Sequence, residues 1–144
     1  MKKTTTRIVF LLAAILLAGC GEPEDVNVTI ELPLNVSQGD EFVIVATVKN
    51  TSSDQQELVS LDIADGYLDG IAILRTEPNH SEATHIPLDN TMSYVFELPV
   101  GAGEQKEIKL YAKAVRQGDY NAEIDFCINS EFSFLSRSIR TIVE

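Results

Sequence analysis

The sequence predicts an all-β domain built as a two-sheet sandwich of about seven or eight strands. From Val26 onward, apolar residues recur at every second position, and no stretch longer than a turn has helical spacing. Turn-forming residues interrupt these runs at intervals of about 8 to 12 residues, a spacing typical of sandwich folds. The 144-residue chain is too short to form two hydrophobic cores of ordinary size, so we expect one domain over 26–144.

Four strands are predicted in the first half of this domain. The segment 26–32 alternates between apolar and polar residues, and polar turns follow at 35–40 and 50–54. The inward-facing residues of the second and third strands are expected to be Phe42, Ile44, Ala46 and Val48, and then Val59, Leu61 and Ile63. A fourth strand is predicted at 71–74.

The second half begins with a polar segment at 75–91, which contains two prolines and is predicted to be irregular with one short edge strand. Strands are predicted at 94–98, at 108–114 and from 132 to 143. Between the last two, one strand shows the clearest alternation of the chain. Its inward positions are Tyr120, Ala122, Ile124 and Phe126, and its outward positions are Asn121, Glu123 and Asp125.

The order of these elements resembles the bacterial immunoglobulin-like domains, of the adhesion-related kind, found in cell-surface proteins. The residues that carry the resemblance are the strand EFVIVATVKNTSS, a later Gly-rich turn, a long strand and the motif Gly118-Asp119-Tyr120. The resemblance spans about residues 35–143 and implies a Greek-key sandwich with Tyr120 as a tyrosine corner bonded to nearby backbone. Because the paired cysteines and core tryptophan of antibody domains are missing, the comparison is with disulfide-free domains.

The chain begins with a predicted export signal. A basic start is followed by eleven apolar residues at 8–18, which reach about 16 Å against roughly 30 Å of membrane hydrocarbon. The stretch Leu17-Ala18-Gly19-Cys20 closely resembles the bacterial lipoprotein box. That resemblance implies cleavage before Cys20, a diacylglycerol thioether on its thiol, and a fatty acid such as palmitate on the new amino terminus. A plain secretory signal that happens to contain a cysteine is the alternative.

The lipoprotein interpretation divides the chain into a signal peptide at 1–19, a lipidated Cys20 with a short tether at 20–25, and the sandwich at 26–144. It predicts an exported protein anchored to a membrane of the bacterial cell envelope. Where the host has two membranes, an aspartate directly after the lipidated cysteine resembles an inner-membrane retention signal. Because Gly21 stands at that position here, the outer membrane is favoured. With Cys20 occupied by lipid, Cys127 has no disulfide partner within the chain.

The charge of the chain excludes some partners. All 22 acidic residues follow Cys20, whereas three of the 11 basic residues precede it, which leaves 8 basic residues and a net charge of −14 after cleavage. Nucleic acid is therefore an improbable partner, and direct docking on anionic lipid is disfavoured. A partner that binds through charge should be basic or use a bridging cation.

Two polar clusters are candidate metal sites. Asp62, Asp65 and Asp69 lie around a glycine in the loop 62–69, which suggests calcium, but their spacing is not that of the twelve-residue calcium loop. His80 and His85 suggest zinc, but a spacing of five on a strand places them on opposite faces. Solvated loops are the simpler interpretation of both, and a type 1 copper site is disfavoured because no histidine follows Cys127.

Cys127 is predicted to lie on the outward face of its strand, half covered by a neighbouring strand or loop, where carboxylates would raise the pKa of its thiol. No catalytic serine motif or phosphate-binding loop is present in the sequence, so no catalytic residue, metal or cofactor is assigned. The sequence predicts a non-catalytic binding or structural interaction module with an envelope protein as partner, whose loops of interest are 64–70 and 75–91. A calcium- or zinc-dependent binding protein or enzyme using 62–69 or 80–85 is the alternative.

Overall fold

Two β-sheets form the domain in the computed structural model, which describes residues 22–144. The predicted signal peptide and Cys20 lie outside these described residues. The strands are β1 (Val26–Glu31), β2 (Asn35–Val36), β3 (Glu41–Asn50), β4 (Gln56–Ala64), β5 (Ile71–Glu77), β6 (Glu82–Ile86), β7 (Thr91–Val100), β8 (Gln105–Ala114), β9 (Gly118–Ile128) and β10 (Phe134–Val143). A single helical turn, α1 (Asp65–Leu68), follows β4. No helix within residues 22–144 has the length and apolar character needed to cross a membrane.

The strand order is that of a Greek-key sandwich. One sheet has the order β1-β3-β8-β5, and the other has the order β2-β10-β9-β4-β7-β6. Among the described strands, the chain passes from one sheet to the other at every connection except β6–β7 and β9–β10. The prediction of an all-β, two-sheet sandwich is therefore confirmed. The described strands number ten because the short β2 and the edge strand β6 extend the six-stranded sheet.

The core lies between the two sheets and follows the predicted alternation. Ile44, Ala46 and Val48 of β3 are buried, as are Tyr120, Ile124 and Phe126 of β9. Outward-facing positions on β9, such as Asn121 and Glu123, are exposed. Since one face of each strand is apolar and the other is polar, a two-residue period is enough to place both sheets around one core.

One predicted core residue was wrong. A β-bulge between Leu58 and Ser60 shifts the register of β4 against both of its neighbours. As a result Leu58, rather than Val59, joins Leu61 and Ile63 among the fully buried side chains. A bulge inserts one extra residue, so strict alternation counted across it points the wrong way.

The tyrosine corner predicted at Tyr120 is present. Its hydroxyl donates to the carbonyl of Gln117 at 3.0 Å and receives a hydrogen bond from Arg116 Nε at 3.3 Å. The ring lies directly over Gly70, where a Cβ would stand 1.9 Å from the ring carbon Cζ. The corner therefore joins the start of β9 to the segment after α1, and only glycine fits beneath it.

The segment before β1 is held against the sandwich. Thr51 N donates to the carbonyl of Asp25 at 2.9 Å, and Arg137 Nη1 lies 3.8 Å from a carboxylate oxygen of Glu22. Arg137 Nε also donates to the carbonyl of Val28 in β1 at 3.1 Å. The part of the predicted tether that the structure describes, from Glu22, therefore lies along the domain, with Glu22, Glu24 and Asp25 exposed.

Candidate interaction groove

A groove runs over the outer face of the six-stranded sheet, between the β6–β7 turn and the loop from β9 to β10. Its apolar walls are Ile86, Leu88, Phe132 and Phe134. Leu88 is 90% exposed and Phe132 is 74% exposed, although both are large hydrophobic side chains. We call this hollow of about 440 Å³ the outer groove. Contiguous exposed apolar side chains rimmed by polar residues mark interaction sites more often than scattered ones do.

A smaller hollow of about 270 Å³ adjoins the outer groove and has a carboxylate floor. Asp62 of β4 and Asp125 of β9 are directly paired across the two strands and both line this hollow. Ser60 Oγ donates to Asp62 at 3.0 Å, and Ser136 Oγ donates to Asp125. Burial raises the pKa of Asp125; the Ser136 hydrogen bond opposes this, while the charges of Glu123, Asp62 and Asp89 add to it.

The thiol of Cys127 forms part of the same floor. The prediction that it faces outward is confirmed, since its Sγ donates to a carboxylate oxygen of Asp62 at 3.5 Å. It is more fully covered than predicted, being only 1% exposed. Burial, reinforced by the charges of Asp62 and Asp125, raises the pKa of the Cys127 thiol to about 12. The group is therefore a neutral hydrogen-bond donor near neutral pH rather than a nucleophile.

The rim of both hollows is acidic. Asp89 on the β6–β7 turn and Glu131 on the β9–β10 loop line each of them, together with Asp62 and Phe134. None of the described side chains that line either hollow is lysine or arginine. Apolar surface and negative charge thus lie side by side.

The β9–β10 loop that carries Phe132 is fixed at its base by Asn129. This residue has a positive φ of 62°. Its backbone N donates to the carbonyl of Glu57 at 2.8 Å, and its Oδ1 accepts from Glu57 N at 2.9 Å. Asn129 Nδ2 also donates to Gln56. These contacts hold the loop in position over the sheet.

The predicted calcium residues are not brought together. Asp62 lies in β4 at the floor of the groove, whereas Asp65 begins α1 and pairs with His85 at 2.8 Å. Asp69 ends α1, where its backbone N donates to the carbonyl of Asp65. The loop 62–69 is therefore the end of a strand followed by a helical turn.

The two histidines also have separate partners. His80 Nδ1 lies 2.8 Å from Thr76 Oγ1, and the ring packs edge-on against Tyr94 at 5.3 Å between centroids. His85 bonds instead to Asp65. Over residues 22–144 no group of three or more His, Cys, Asp or Glu side chains is arranged to hold a metal ion.

The sequence indicates part of the groove but not all of it. The loop of interest 75–91 contains Ile86, Leu88 and Asp89, but the sequence pattern predicts Phe132 at the start of the last strand. The structure begins β10 at Phe134 and leaves Phe132 in the loop. The signal that could have found it is the turn composition Asn129-Ser130-Glu131 directly before an aromatic residue.

Solved structures with the same architecture support the fold. The CARDB domain of PF1109 from Pyrococcus furiosus is 14% identical with a TM-score of 0.52, and the match covers 83% of this chain and 94% of that one. The cupredoxin domain of amoB from Nitrosocaldus yellowstonii is 13% identical with a TM-score of 0.52, over 85% and 89% of the two chains. A third match is E. coli alpha-2-macroglobulin, with a TM-score of 0.54 and 13% identity.

The match to alpha-2-macroglobulin covers 83% of this chain and only 7% of that much longer protein. No protein-family model and no curated protein matches the chain. At these identities the likeness establishes a β-sandwich domain and says nothing of activity, because one sandwich architecture serves many functions.

Proposed function

We propose that the protein is a non-catalytic interaction module, held at the bacterial envelope membrane by lipid on Cys20, whose outer groove receives a partner protein. The observation that carries the proposal is the outer groove itself. It combines exposed Leu88 and Phe132 with a rim of carboxylates on a rigid sheet. Such a surface suits the recognition of another protein.

The exposed side chains give the partner a source of binding free energy. Covering one large apolar side chain contributes about 1.5 to 3 kcal/mol. Phe132 on the β9–β10 loop and Leu88 on the β6–β7 turn both line the groove, so a partner seated in it would cover both. Aromatic anchors of this kind contribute most of the binding free energy in many interfaces.

The metal-dependent alternative has less support. It needed Asp62, Asp65 and Asp69, or His80 and His85, to converge on one point. These side chains have separate partners in the structure. The interaction proposal does not depend on any of them binding a metal.

Site-specific crosslinking in living cells tests the groove. Benzoylphenylalanine is introduced at position 132, and the matched control carries it at position 74. Leu74 is 51% exposed and lies on β5, in the opposite sheet. We expect an adduct at position 132 that maps by mass spectrometry to one segment of one envelope protein. Equal adducts at both positions, or none at 132, would contradict the proposal.

Lipid attachment is tested separately by metabolic labelling with an alkyne-bearing palmitate analogue. The wild-type chain should be labelled and remain in the membrane fraction, and Cys20→Ala should abolish both. Cys127→Ala is the matched control, because its thiol is buried and lies in the folded domain. Label that survives in Cys20→Ala would overturn the anchoring proposal. The groove proposal does not depend on this result, because the crosslinking experiment decides it.

A further inference from the structure

We infer that the occupant of the outer groove is a cationic, amphipathic segment of the partner protein, in which a lysine or arginine stands beside an apolar anchor. The inference rests on the proposed function and specifies the chemistry of the partner. It depends on charge and on the way apolar and acidic surfaces adjoin.

The charge at the groove is one-sided. Asp62, Asp89 and Glu131 line both hollows, and Asp125 lies on the floor of the smaller one. The eight basic residues of the described chain lie elsewhere, and several are already paired. Arg140 pairs with Asp119 at 2.6 Å and Lys106 pairs with Glu104 at 2.6 Å. A cationic side chain entering the groove would therefore meet a negative potential that no basic side chain among the lining residues neutralises.

The geometry places that charge next to the apolar walls. Phe134 and Asp62 line both the outer groove and the smaller hollow, so the two spaces share a boundary. An apolar side chain between Phe132 and Leu88 would leave a neighbouring cationic group within the acidic hollow. An ammonium or guanidinium group there would also relieve the mutual repulsion of Asp62 and Asp125, which are paired across two strands.

Other occupants fit the charge poorly. A second copy of this chain would bring another net charge of −14, because all 22 acidic and only 8 basic residues lie in 22–144. Anionic lipid would meet the same repulsion. A basic partner is attracted electrostatically by this surface both during its approach and in the bound state.

Peptide binding tests the inference, and the absence of tryptophan from the chain makes it simple to measure. Three ten-residue probes each carry one tryptophan: an alternating Lys/Leu peptide, a Glu/Leu peptide and a Lys/Ser peptide. The peptide tryptophan is then the only tryptophan emitter. The protein is the full chain, in phosphatidylcholine vesicles if it fractionates with membranes and in buffer if it does not, with empty vesicles as a blank.

We expect the Lys/Leu peptide to bind at least about tenfold more tightly than either of the others, and its affinity to fall as salt rises. The double variant Asp89→Asn, Glu131→Gln should weaken it by about tenfold, and Phe132→Ala by a similar factor. The matched controls are Glu31→Gln with Glu41→Gln, and Leu74→Ala, which are exposed on the other sheet and should change little.

The outcomes separate this inference from the proposed function. Equal binding of the Lys/Leu and Glu/Leu peptides would overturn the cationic partner and leave the groove as an apolar site. Lys/Leu binding that the groove variants do not change would overturn the placement. If none of the probes binds, the inference fails, whereas the adduct at position 132 in cells still decides whether the groove is an interaction site.

Discussion

At the scale of single residues, the fold depends on a few buried polar groups that the sequence pattern does not reveal. Asn50 is fully buried at the end of β3, and its Nδ2 donates to the carbonyls of Val100 at 2.9 Å and Asp54 at 2.6 Å. Its Oδ1 accepts from the backbone N of Ser52 at 2.9 Å. In the sequence Asn50 is only the first of several turn-forming residues.

Asn50→Ala should lower the free energy of unfolding by about 2 kcal/mol, because it leaves buried carbonyl groups without their donor. Chemical denaturation followed by circular dichroism measures the change. Asn121→Ala, at an exposed position of β9, is the matched control and should stay within about 0.5 kcal/mol of the wild type. Equal effects of the two substitutions would show that the Asn50 contacts contribute little.

The contact of Tyr120 with Gly70 gives a second prediction. Gly70→Ala should cost about 3 kcal/mol or prevent folding, because the new methyl group would overlap the tyrosine ring. Gly66→Ala is the matched control, since a Cβ there has nothing within 4 Å and the residue lies in α1. We expect it to be neutral or to raise the melting temperature slightly. A stable Gly70→Ala protein would argue against this packing.

Cys127 gives a prediction about pH. At pH 8 the folded protein should react with a thiol reagent at least about 100-fold more slowly at this site than the denatured chain, because the thiol is neutral and covered. Cys127→Ser supplies the blank. The raised pKa also means that stability declines as the pH rises above 9.0 towards 12, where the unfolded thiol ionises first. Between pH 8 and 11 the wild type should lose more stability than Cys127→Ser; parallel curves would contradict this.

At the scale of elements, alternation determined most of the architecture and local irregularities determined the rest. The alternation of apolar residues located β3 and β9 and their buried faces, because a half-buried strand has a period of two. It misplaced Val59 because the bulge in β4 adds one residue whose presence depends on the partner strands. It also missed Phe132, whose exposure depends on how the β9–β10 loop folds back over a sheet that is distant in sequence.

The loop that carries Phe132 should respond to changes at Asn129. Asn129→Ala is expected to cost about 2 kcal/mol, since it removes the acceptor for Glu57 N and leaves a side chain with a Cβ at positive φ. Asn129→Gly removes the same hydrogen bonds without the backbone strain and should cost about half as much. Hydrogen exchange of residues 129–134 should quicken in both. Identical stabilities would show that the φ angle contributes nothing.

At the scale of the whole molecule, the excess of acidic residues sets how stability depends on salt. Residues 22–144 contain 22 acidic and 8 basic residues, so the charged side chains of the folded domain repel one another on balance. The net charge follows from composition, whereas the grouping of Asp62, Asp89, Asp125 and Glu131 around the two adjoining hollows follows only from the arrangement of two strands and two connections. Composition therefore predicts the sign of charge that a partner would need, but not which surface gathers the acidic side chains.

Raising sodium chloride from about 10 mM to 300 mM should raise the melting temperature by a few degrees, because screening weakens the net repulsion more than it weakens the exposed ion pairs. Differential scanning calorimetry measures the shift. The variant with Glu31→Gln and Glu41→Gln should show a smaller increase. A melting temperature that falls with salt would mean that the ion pairs outweigh the repulsion.

The packing of the segment before β1 has a consequence for how the molecule would search for a partner. Because Glu22 contacts Arg137 and the carbonyl of Asp25 accepts from Thr51, the proposed lipid site at Cys20 lies only a few residues from the sandwich. The anchored domain would then diffuse in the plane of the membrane, and its groove would stay within a layer little thicker than the domain itself. Within such a layer a membrane-bound partner has a high effective concentration, so even a weak contact in the groove would be occupied much of the time.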